Sequence, residues 1–184
     1  VCEECDEGHY ADTEGAVDCA PCNVSMYADV KGAAKCLVCP DGEYTNETGC
    51  ARCSVCPAGQ SDSSHISCVN CSEGYYQPGT GGRGARCQPC QPGTIAPGKG
   101  SAVCEPCEPG YYTKDGSRTE CTGCPTGTYS SRNGTRSQEE CQTCPAGHYC
   151  PQSGTAKPQI CPAGSRCRAG CAVPEKCASL YTSS

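Results

Sequence analysis

Residues 36–44 read CLVCPDGEY and residues 121–129 read CTGCPTGTY, and this short pattern decides the fold because it recurs along the chain. Ten Cys-x-x-Cys pairs follow one another about every 17 residues. Self-similarity at a fixed period is the sequence signature of a repeat architecture, in which each repeat is one small supersecondary unit. The chain is therefore predicted to be an array of small units and not a single globule.

Each position of the repeat has a physical role. Counted from the second cysteine of a pair, the third following residue is glycine in eight of nine repeats and the fifth is tyrosine in seven of nine. The glycine permits the positive φ of a tight turn, and a proline after the cysteine fixes φ, so the chain should reverse beside the cysteine. The tyrosine ring should then cover the disulfide as a miniature core. These tyrosines are Tyr10, Tyr27, Tyr44, Tyr76, Tyr112, Tyr129 and Tyr149.

Apolar residues are too few to build an ordinary core. Leu, Ile, Val and Phe together number 14 of 184 residues, whereas cysteine alone numbers 24. Such a chain is ordinarily disordered unless cross-links hold it, and a disulfide that closes a loop of about 15 residues contributes roughly 3 kcal/mol. We therefore predict a small disulfide-rich fold with essentially every cysteine paired. It should be an elongated tandem array of short β-hairpin or loop modules, with little regular secondary structure and no helix bundle or large core.

Paired cysteines at this density indicate an oxidising compartment, so an extracellular or cell-surface location is expected. Four Asn-x-Ser/Thr sequons agree with a secretory route and are candidate carriers of N-linked glycans. They begin at Asn23, Asn46, Asn133 and Asn70, of which Asn70 is the doubtful one because Cys71 follows it directly. The segment has no run of 18 apolar residues, so no membrane span is expected in it.

Charge is distributed unevenly along the chain. The formal net charge is −6, but residues 1–50 carry −9 and residues 51–184 carry +3. Contacts between the head of one copy and the tail of another, or contacts with a polyanion, are conceivable, although solvated loops with uneven charge explain the same numbers. The acidic balance argues against nucleic acid as a partner.

The repeat Cys-x-x-Cys-(Pro)-x-Gly-x-Tyr resembles the ephrin-receptor-like cysteine-rich repeats, which are similar in turn to the modules of tumour-necrosis-factor receptors and growth-factor-receptor cysteine-rich regions. The resemblance extends from Cys2 to about Cys167. It implies the class that contains receptor ectodomains, protist surface antigens and surface-appendage proteins. It carries over no residue that contacts a ligand.

Two disulfide connectivities are compatible with the spacing, because pairing cannot be deduced from sequence alone. In the interleaved arrangement that the resemblance implies, and that we favour, Cys87 joins Cys104 and Cys90 joins Cys107. In the ladder alternative, Cys90 joins Cys104 and Cys107 joins Cys121, which leaves Cys2 without a partner in the chain.

Two interruptions of the period suggest how the chain is divided. Cys50, Cys53 and Cys56 form a triple that marks a change of bridge register or a bend, and the motif Cys-Pro-Ala-Gly-x-x-Cys begins at Cys144 and again at Cys161. The expected divisions are repeats with acidic loops over 1–49, repeats over 50–144, a variant C-terminal cysteine knot over 145–178 and a frayed tail over 179–184.

Other chemistries that use these residue types are disfavoured. Cys-x-x-Cys pairs also build zinc and redox sites, but the sequons and the Pro-x-Gly-x-Tyr linkage favour disulfides. Residues 79–84 contain Gly-x-Gly-x-x-Gly without the strand and helix of a dinucleotide site, and the acidic loops lack the spaced ligands of a calcium site. His9 and His148 occupy the variable position of Gly-x-Tyr at the surface, and neither they nor His65 stand in a catalytic context. No catalytic residue, metal or cofactor is expected.

The most favoured function is therefore structural. The sequence is interpreted as a glycosylated, disulfide-stapled rod or filament segment at a cell surface or surface appendage, without enzymatic activity. Its expected partners are other copies of itself or neighbouring extracellular structural proteins. The alternatives are a receptor ectodomain that binds a protein ligand and a variable protist-type surface antigen.

Overall fold

The structure is a computed structural model that describes residues 3–62, 64–79, 86–114 and 118–177. Within these ranges the chain forms ten two-stranded antiparallel hairpins and one short 3-10 helix, Gln138–Glu140, which confirms the small disulfide-rich tandem array. The first five hairpins pair β1 (His9–Tyr10) with β2 (Ala20–Pro21), β3 (Met26–Tyr27) with β4 (Leu37–Val38), β5 (Glu43–Tyr44) with β6 (Ser54–Val55), β7 (Gln60–Asp62) with β8 (Cys68–Asn70), and β9 (Tyr75–Tyr76) with β10 (Gln88–Pro89).

The last five hairpins pair β11 (Thr94–Ile95) with β12 (Glu105–Pro106), β13 (Tyr111–Tyr112) with β14 (Thr122–Gly123), β15 (Thr128–Tyr129) with β16 (Gln142–Thr143), β17 (His148–Tyr149) with β18 (Gln159–Ile160), and β19 (Ser165–Arg166) with β20 (Glu175–Lys176). We call each hairpin, together with the cysteine that precedes it, a module. Modules 1 to 10 begin at Cys5, Cys22, Cys39, Cys56, Cys71, Cys90, Cys107, Cys124, Cys144 and Cys161. Cys2 and the tail expected over 179–184 lie outside the described residues.

Module 7 shows how the repeat sequence produces the hairpin. The Tyr111 N–H donates to the Glu108 carbonyl at 3.0 Å, which closes a tight turn, and Gly110 in that turn has a φ of 92°. Glycine adopts this conformation without steric cost. The Cys124 N–H then donates to the Gly110 carbonyl at 2.8 Å, so the end of the hairpin returns to the turn where it began.

The disulfides follow the ladder, and the interleaved arrangement is wrong. Cys90 joins Cys104 and Cys107 joins Cys121, while Cys87 joins Cys71. The turn brings the first cysteine of a hairpin beside the residue that precedes its second strand, with a Cα–Cα distance of 5.8 Å in module 6. That separation suits a disulfide, so each hairpin closes on itself. The eight modules built this way contain Cys5–Cys19, Cys22–Cys36, Cys39–Cys53, Cys56–Cys68, Cys71–Cys87, Cys90–Cys104, Cys107–Cys121 and Cys124–Cys141.

Modules 9 and 10 use a shorter bridge because proline replaces the opposite cysteine. Pro158 and Pro174 precede the second strands of these hairpins. The first cysteine of each of these modules therefore forms a disulfide with the cysteine six residues later in the same segment, as Cys144–Cys150 and Cys161–Cys167.

Among the described residues, three cysteines carry no bridge, so the expectation that essentially every cysteine is paired is wrong. They are Cys50, Cys171 and Cys177. Cys50 is an extra cysteine in the loop of module 3, and the bridges on either side, Cys39–Cys53 and Cys56–Cys68, keep the same register. The triple therefore does not change the bridge register.

Most buried residues are small and recur at three positions of the modules. These are the first cysteine, the turn glycine and the residue that follows the repeat tyrosine, which we call the inner position. Ala28, Ala96 and Thr113 occupy inner positions and are 2%, 1% and 3% exposed. Cys22 with Ala28 and Ala33 forms a small cluster against which Tyr10 packs.

The chain divides into two compact bodies, residues 1–89 with 98–103 and residues 90–97 with 104–184. In the first body, consecutive modules are joined by backbone hydrogen bonds, for example from the Gly8 N–H to the Ala28 carbonyl at 2.8 Å. The loop of module 3 also packs on module 1. A Cβ on Gly8 would overlap the Gly49 carbonyl, so this close approach requires glycine.

The second body repeats the same contacts. The Gly127 N–H donates to the Cys150 carbonyl at 2.9 Å, which joins module 8 to module 9. A Cβ on Gly127 would overlap the carbonyl of Gly170 in module 10. Within each body, consecutive modules are therefore bonded to one another, and the loop of the module after the next one packs against the turn glycine at Gly8, Gly59, Gly93, Gly110 and Gly127.

Candidate functional site

Two open clefts have linings in which polar and charged side chains predominate. One of about 510 Å³ lies in the second body and is lined by Pro92, Tyr112, Thr113, Lys114, Arg136, Ser137, Gln138 and Glu139. Another of about 510 Å³ lies in the first body and is lined by Glu3, Glu4, Asp6, His9, Ala16, Val17, Asp18 and Cys19. Across the part of the chain that the structure describes, no group of three or more His, Cys, Asp or Glu side chains is arranged to hold a metal ion.

Tyr112 is the buried member of the repeat tyrosines, at 4% exposed. Module 8 explains this, because its bridge spans 17 residues where five other modules have bridges that span 14, and the longer loop contains the 3-10 helix Gln138–Glu140. The Tyr112 hydroxyl donates to Gln138 Oε1 at 3.2 Å. Beside it, Thr113 Oγ1 donates to the Arg136 carbonyl at 3.0 Å. The polar groups at the floor of this cleft therefore bond to one another.

The mouth of the same cleft carries charge of both signs, from Lys114, Arg136 and Glu139, which are all exposed. The Ser137 hydroxyl, by hydrogen bonding to the Glu139 carboxylate, lowers the pKa of Glu139 below its usual value. The cleft thus presents an ionised carboxylate next to two cations.

The six other repeat tyrosines are half-buried; they are Tyr10, Tyr27, Tyr44, Tyr76, Tyr129 and Tyr149. Their role as the cores of the modules stays a prediction. Reasoning from the sequence missed the inner position, which is buried in most modules. The signal was present, since the residue after the tyrosine is often small, as at Ala11, Ala28 and Ser130.

The sequon asparagines are all exposed, and their glycosylation stays a prediction. Asn70 differs from the others because it lies in β8, accepts a hydrogen bond from Gln60 Nε2 at 3.0 Å and lies against Gly100. Asn133 is exposed, but the third residue of its sequon, Thr135, is 2% exposed and its hydroxyl is 2.6 Å from the Ser130 hydroxyl.

Module 4 contains a charged cluster in place of its missing tyrosine. Asp62 occupies the inner position, and its carboxylate accepts the Ser64 backbone N–H at 2.9 Å. His65, with a φ of 58°, places Nδ1 at 2.9 Å from Asp62 Oδ2, although not aligned for a hydrogen bond. Asp41 lies 4.0 Å from His65 and pairs with Arg86. The disulfide of module 4 spans only 12 residues, so its loop is short. This cluster is best explained as a set of contacts that stabilise that short loop.

The other two histidines, His9 and His148, lie in modules 1 and 9. Near His9, the exposed pair Asp6–Lys31 has an N···O distance of 2.9 Å. Its hydrogen bond and charge lower the pKa of Asp6 and raise that of Lys31.

A family model described as tyrosine-protein kinase ephrin type A/B receptor-like matches residues 1–35, 26–67 and 93–141, which is more than half of the chain. The matched segments span hairpins of both bodies. No curated protein matches the chain. Among the described residues, no helix is long and apolar enough to cross a bilayer.

Proposed function

The chain belongs to the family described as tyrosine-protein kinase ephrin type A/B receptor-like, and from that membership we propose that it is a non-catalytic structural protein. The family and the ten disulfides of the described residues point to an extracellular or cell-surface location. The proposed role is that of a glycosylated, disulfide-stapled rod or filament segment at a cell surface or surface appendage.

The observation that carries this proposal is the regularity of the contacts between modules. The Gly49 carbonyl packs directly against Gly8 in the first body, and the Gly170 carbonyl packs directly against Gly127 in the second. Repeats whose energy comes from such neighbour contacts form a scaffold of extendable length. A scaffold of this kind requires only the repeated contacts between modules and no specialised binding or catalytic site.

The distribution of exposed apolar side chains supports the same role. A protein-binding site usually contains a cluster of large apolar or aromatic residues. Here the most exposed large apolar side chains are spread over separate modules, at Val17, Val103, Ile160 and Val173. The clefts are open and lined mainly by charged and polar groups.

A receptor ectodomain is the second candidate, and the cleft around Tyr112 is the observation that favours it. This cleft is shaped by the unusually long loop of module 8 and bears Lys114, Arg136 and Glu139. A protein ligand with both charge signs would complement it.

Glycosylation is proposed at Asn23, Asn46 and Asn133. Asn70 is proposed to stay unmodified or nearly so, because its side chain bonds to Gln60 and lies against Gly100. Since the Thr135 hydroxyl is buried in the folded module, the glycan on Asn133 must be added before module 8 closes. Peptide mapping of material from the natural source tests this; unmodified asparagine at all three sites would contradict passage through the secretory pathway.

Labelling of native material separates the two candidate functions. An antibody against the chain, located by electron microscopy, should mark a surface appendage or filament at regular intervals. A diffuse label on the cell membrane, together with capture of a soluble ligand that Lys114→Glu abolishes, would favour the receptor. Lys99→Glu, on an exposed lysine outside the cleft, is the matched control.

A further inference from the structure

The hairpin turn of module 2 contains a serine where the turns of the other modules contain glycine. Ser25 has a φ of 63°, and the Met26 N–H closes the turn by donating to the Asn23 carbonyl at 3.1 Å. This left-handed conformation is sterically unfavourable for every residue that has a Cβ. Residues in such a conformation often mark a place where function requires that residue type.

The Cβ of Ser25 also prevents the contact that covers the turn in other modules. A Cβ on Gly8, Gly59 or Gly127 would lie 2.1, 2.0 or 2.4 Å from the carbonyl oxygen of the loop two modules later. Since atoms do not approach one another that closely, the loop of module 4 is excluded from the usual position over Ser25. In agreement with this, Ser25 is half-buried, whereas the turn glycines of module 1 and of modules 3 to 8 are buried.

The loop of module 4 folds back on its own module. In module 3, the loop residue Gly49 donates its N–H to the Cys22 carbonyl of module 2 at 2.7 Å. In module 4 the equivalent residue is Ser64, whose N–H donates instead to the Asp62 carboxylate of the same module at 2.9 Å. The disulfide of module 4 spans only 12 residues, which leaves a shorter loop. The position above the turn of module 2 therefore stays open in the middle of the first body.

This open position has an apolar side. Over module 1 the same position is filled by Gly49, whose Cβ position is 3.7 Å from the Pro21 side chain. The residue of module 2 equivalent to Pro21 is Val38, which lies directly opposite Met26 in the hairpin and is 58% exposed. Ser25 and Val38 therefore border the open position as the turn glycine and Pro21 border the filled one.

The same turn contains a sequon, formed by Asn23, Val24 and Ser25. Asn23 is exposed, and Val24 is 37% exposed. A sequon needs serine or threonine at its third position, so glycine cannot replace Ser25 without loss of the glycan acceptor. The sequon thus explains why the turn retains a residue that is unfavourable for its conformation.

A glycan at this site has the chemistry that the open position requires. A sugar ring presents C–H groups as well as hydroxyls, so it can cover aliphatic side chains while it remains hydrated. Asn23 is two residues from Ser25, and a glycan on its side chain begins beside the open position.

We propose that an N-linked glycan on Asn23 occupies the open position over the turn of module 2, in place of a protein loop, and covers Val24 and Val38. The inference rests on the proposed glycosylation and gives this glycan a role in the packing of the modules. Attachment forms a bond between Asn23 Nδ2 and the anomeric carbon of the first sugar. The amide loses one proton, and the phosphate leaving group of an activated glycosyl donor departs.

The test compares the whole chain, secreted from eukaryotic cells, with two variants that lack this sequon, Asn23→Gln and Ser25→Gly. Ser25→Gly installs the residue that the other modules have in the turn, so it should fold. Asn46→Gln is the matched control, since Asn46 begins an exposed sequon in the loop of module 3. Mass spectrometry of peptides first establishes which sites are occupied in each protein.

Two measurements then report the contact. In wild type and in the control, NMR should show nuclear Overhauser effects between the first sugar on Asn23 and the methyl groups of Val24 and Val38. The Ser25 amide, which donates to the Thr45 carbonyl at 3.1 Å, should exchange its hydrogen about tenfold faster in Asn23→Gln than in wild type. This magnitude corresponds to the uncovering of roughly 50 Å² of apolar surface.

Three outcomes would overturn the inference. In the first, Asn23 is occupied, but its sugar does not contact Val24 or Val38 and its loss leaves exchange of the Ser25 amide unchanged. In the second, Asn23 is unmodified while Asn46 is occupied, which would leave passage through the secretory pathway intact. In the third, every sequon is unmodified, which would contradict the proposed glycosylation as well. The microscopy described above tests the structural role separately.

Discussion

Replacing Gly110 by alanine tests the stacking contact between modules. Gly110 has a φ of 92°, and a Cβ there would overlap the carbonyl of Gly154 and lie 3.1 Å from the Thr155 carbonyl carbon. The left-handed conformation costs alanine about 1 to 2 kcal/mol, and forcing extra volume into packed structure costs typically about 1 to 3 kcal/mol. The whole substitution should therefore destabilise this part of the array by roughly 2 to 5 kcal/mol.

Gly164→Ala is the matched control, because Gly164 has a φ of 76° and nothing within 4 Å of its Cβ position. It retains the conformational cost but creates no overlap. The difference between the two substitutions isolates the stacking contact at about 1 to 3 kcal/mol, or roughly a 5- to 150-fold difference in a local opening equilibrium.

Hydrogen exchange of the Gly154 amide is a direct readout, since this N–H donates to the Cys124 carbonyl at 2.9 Å. Gly110→Ala should accelerate its exchange, whereas the Ala28 amide in the first body should be unaffected because energy in repeat arrays is local. Equal exchange at Gly154 in both variants would refute the stacking contact.

Other expectations follow from the same architecture. Tyr112→Ala should lower the free energy of unfolding by about 3 to 5 kcal/mol and make modules 7 and 8 sensitive to protease while the first body stays resistant. Tyr129→Ala, at a half-buried position, should lower it by less. Unchanged protease sensitivity with lost binding to a partner would favour the receptor instead. Reduction should unfold the chain and chelation should not, as circular dichroism would report; unfolding by a chelator would indicate zinc. Because Lys31 lowers the pKa of Asp6 in the folded protein, their ion pair stabilises the fold at pH values above the pKa that Asp6 has in the unfolded chain. That stabilisation is lost as the pH falls through the pKa that Asp6 has in the folded protein. An NMR titration in which Lys31→Met leaves that pKa unchanged would contradict the pairing.

Much of the fold could be predicted from the sequence because the hairpin is a local structure. The Pro-x-Gly-x-Tyr segment fixes φ within a few residues, as the positive φ of Gly42 and Gly127 confirms. The number of cysteines and the shortage of large apolar residues likewise predicted a disulfide-rich array without knowledge of any contact. These properties depend on composition and near neighbours alone.

The connectivity could not be predicted in this way. Cys104 is 14 residues from Cys90 and 17 from Cys87, and the loop-closure free energies of the two pairings differ by only roughly 0.2 kcal/mol. Sequence separation therefore does not select between them. The choice comes from the hairpin register, in which Ile95 lies opposite Glu105 and the turn carries Cys90 to Cys104.

The sequence by itself determined the repeat, the turn chemistry and the oxidising compartment, because each follows from residue type and spacing. The tertiary structure alone decided which cysteines pair, that the inner position is buried, and that a glycine such as Gly8 receives the carbonyl of a loop two modules away. These features depend on which modules contact one another in the folded chain. Because the repeats have nearly the same sequence, their residues do not show which of the possible contacts form.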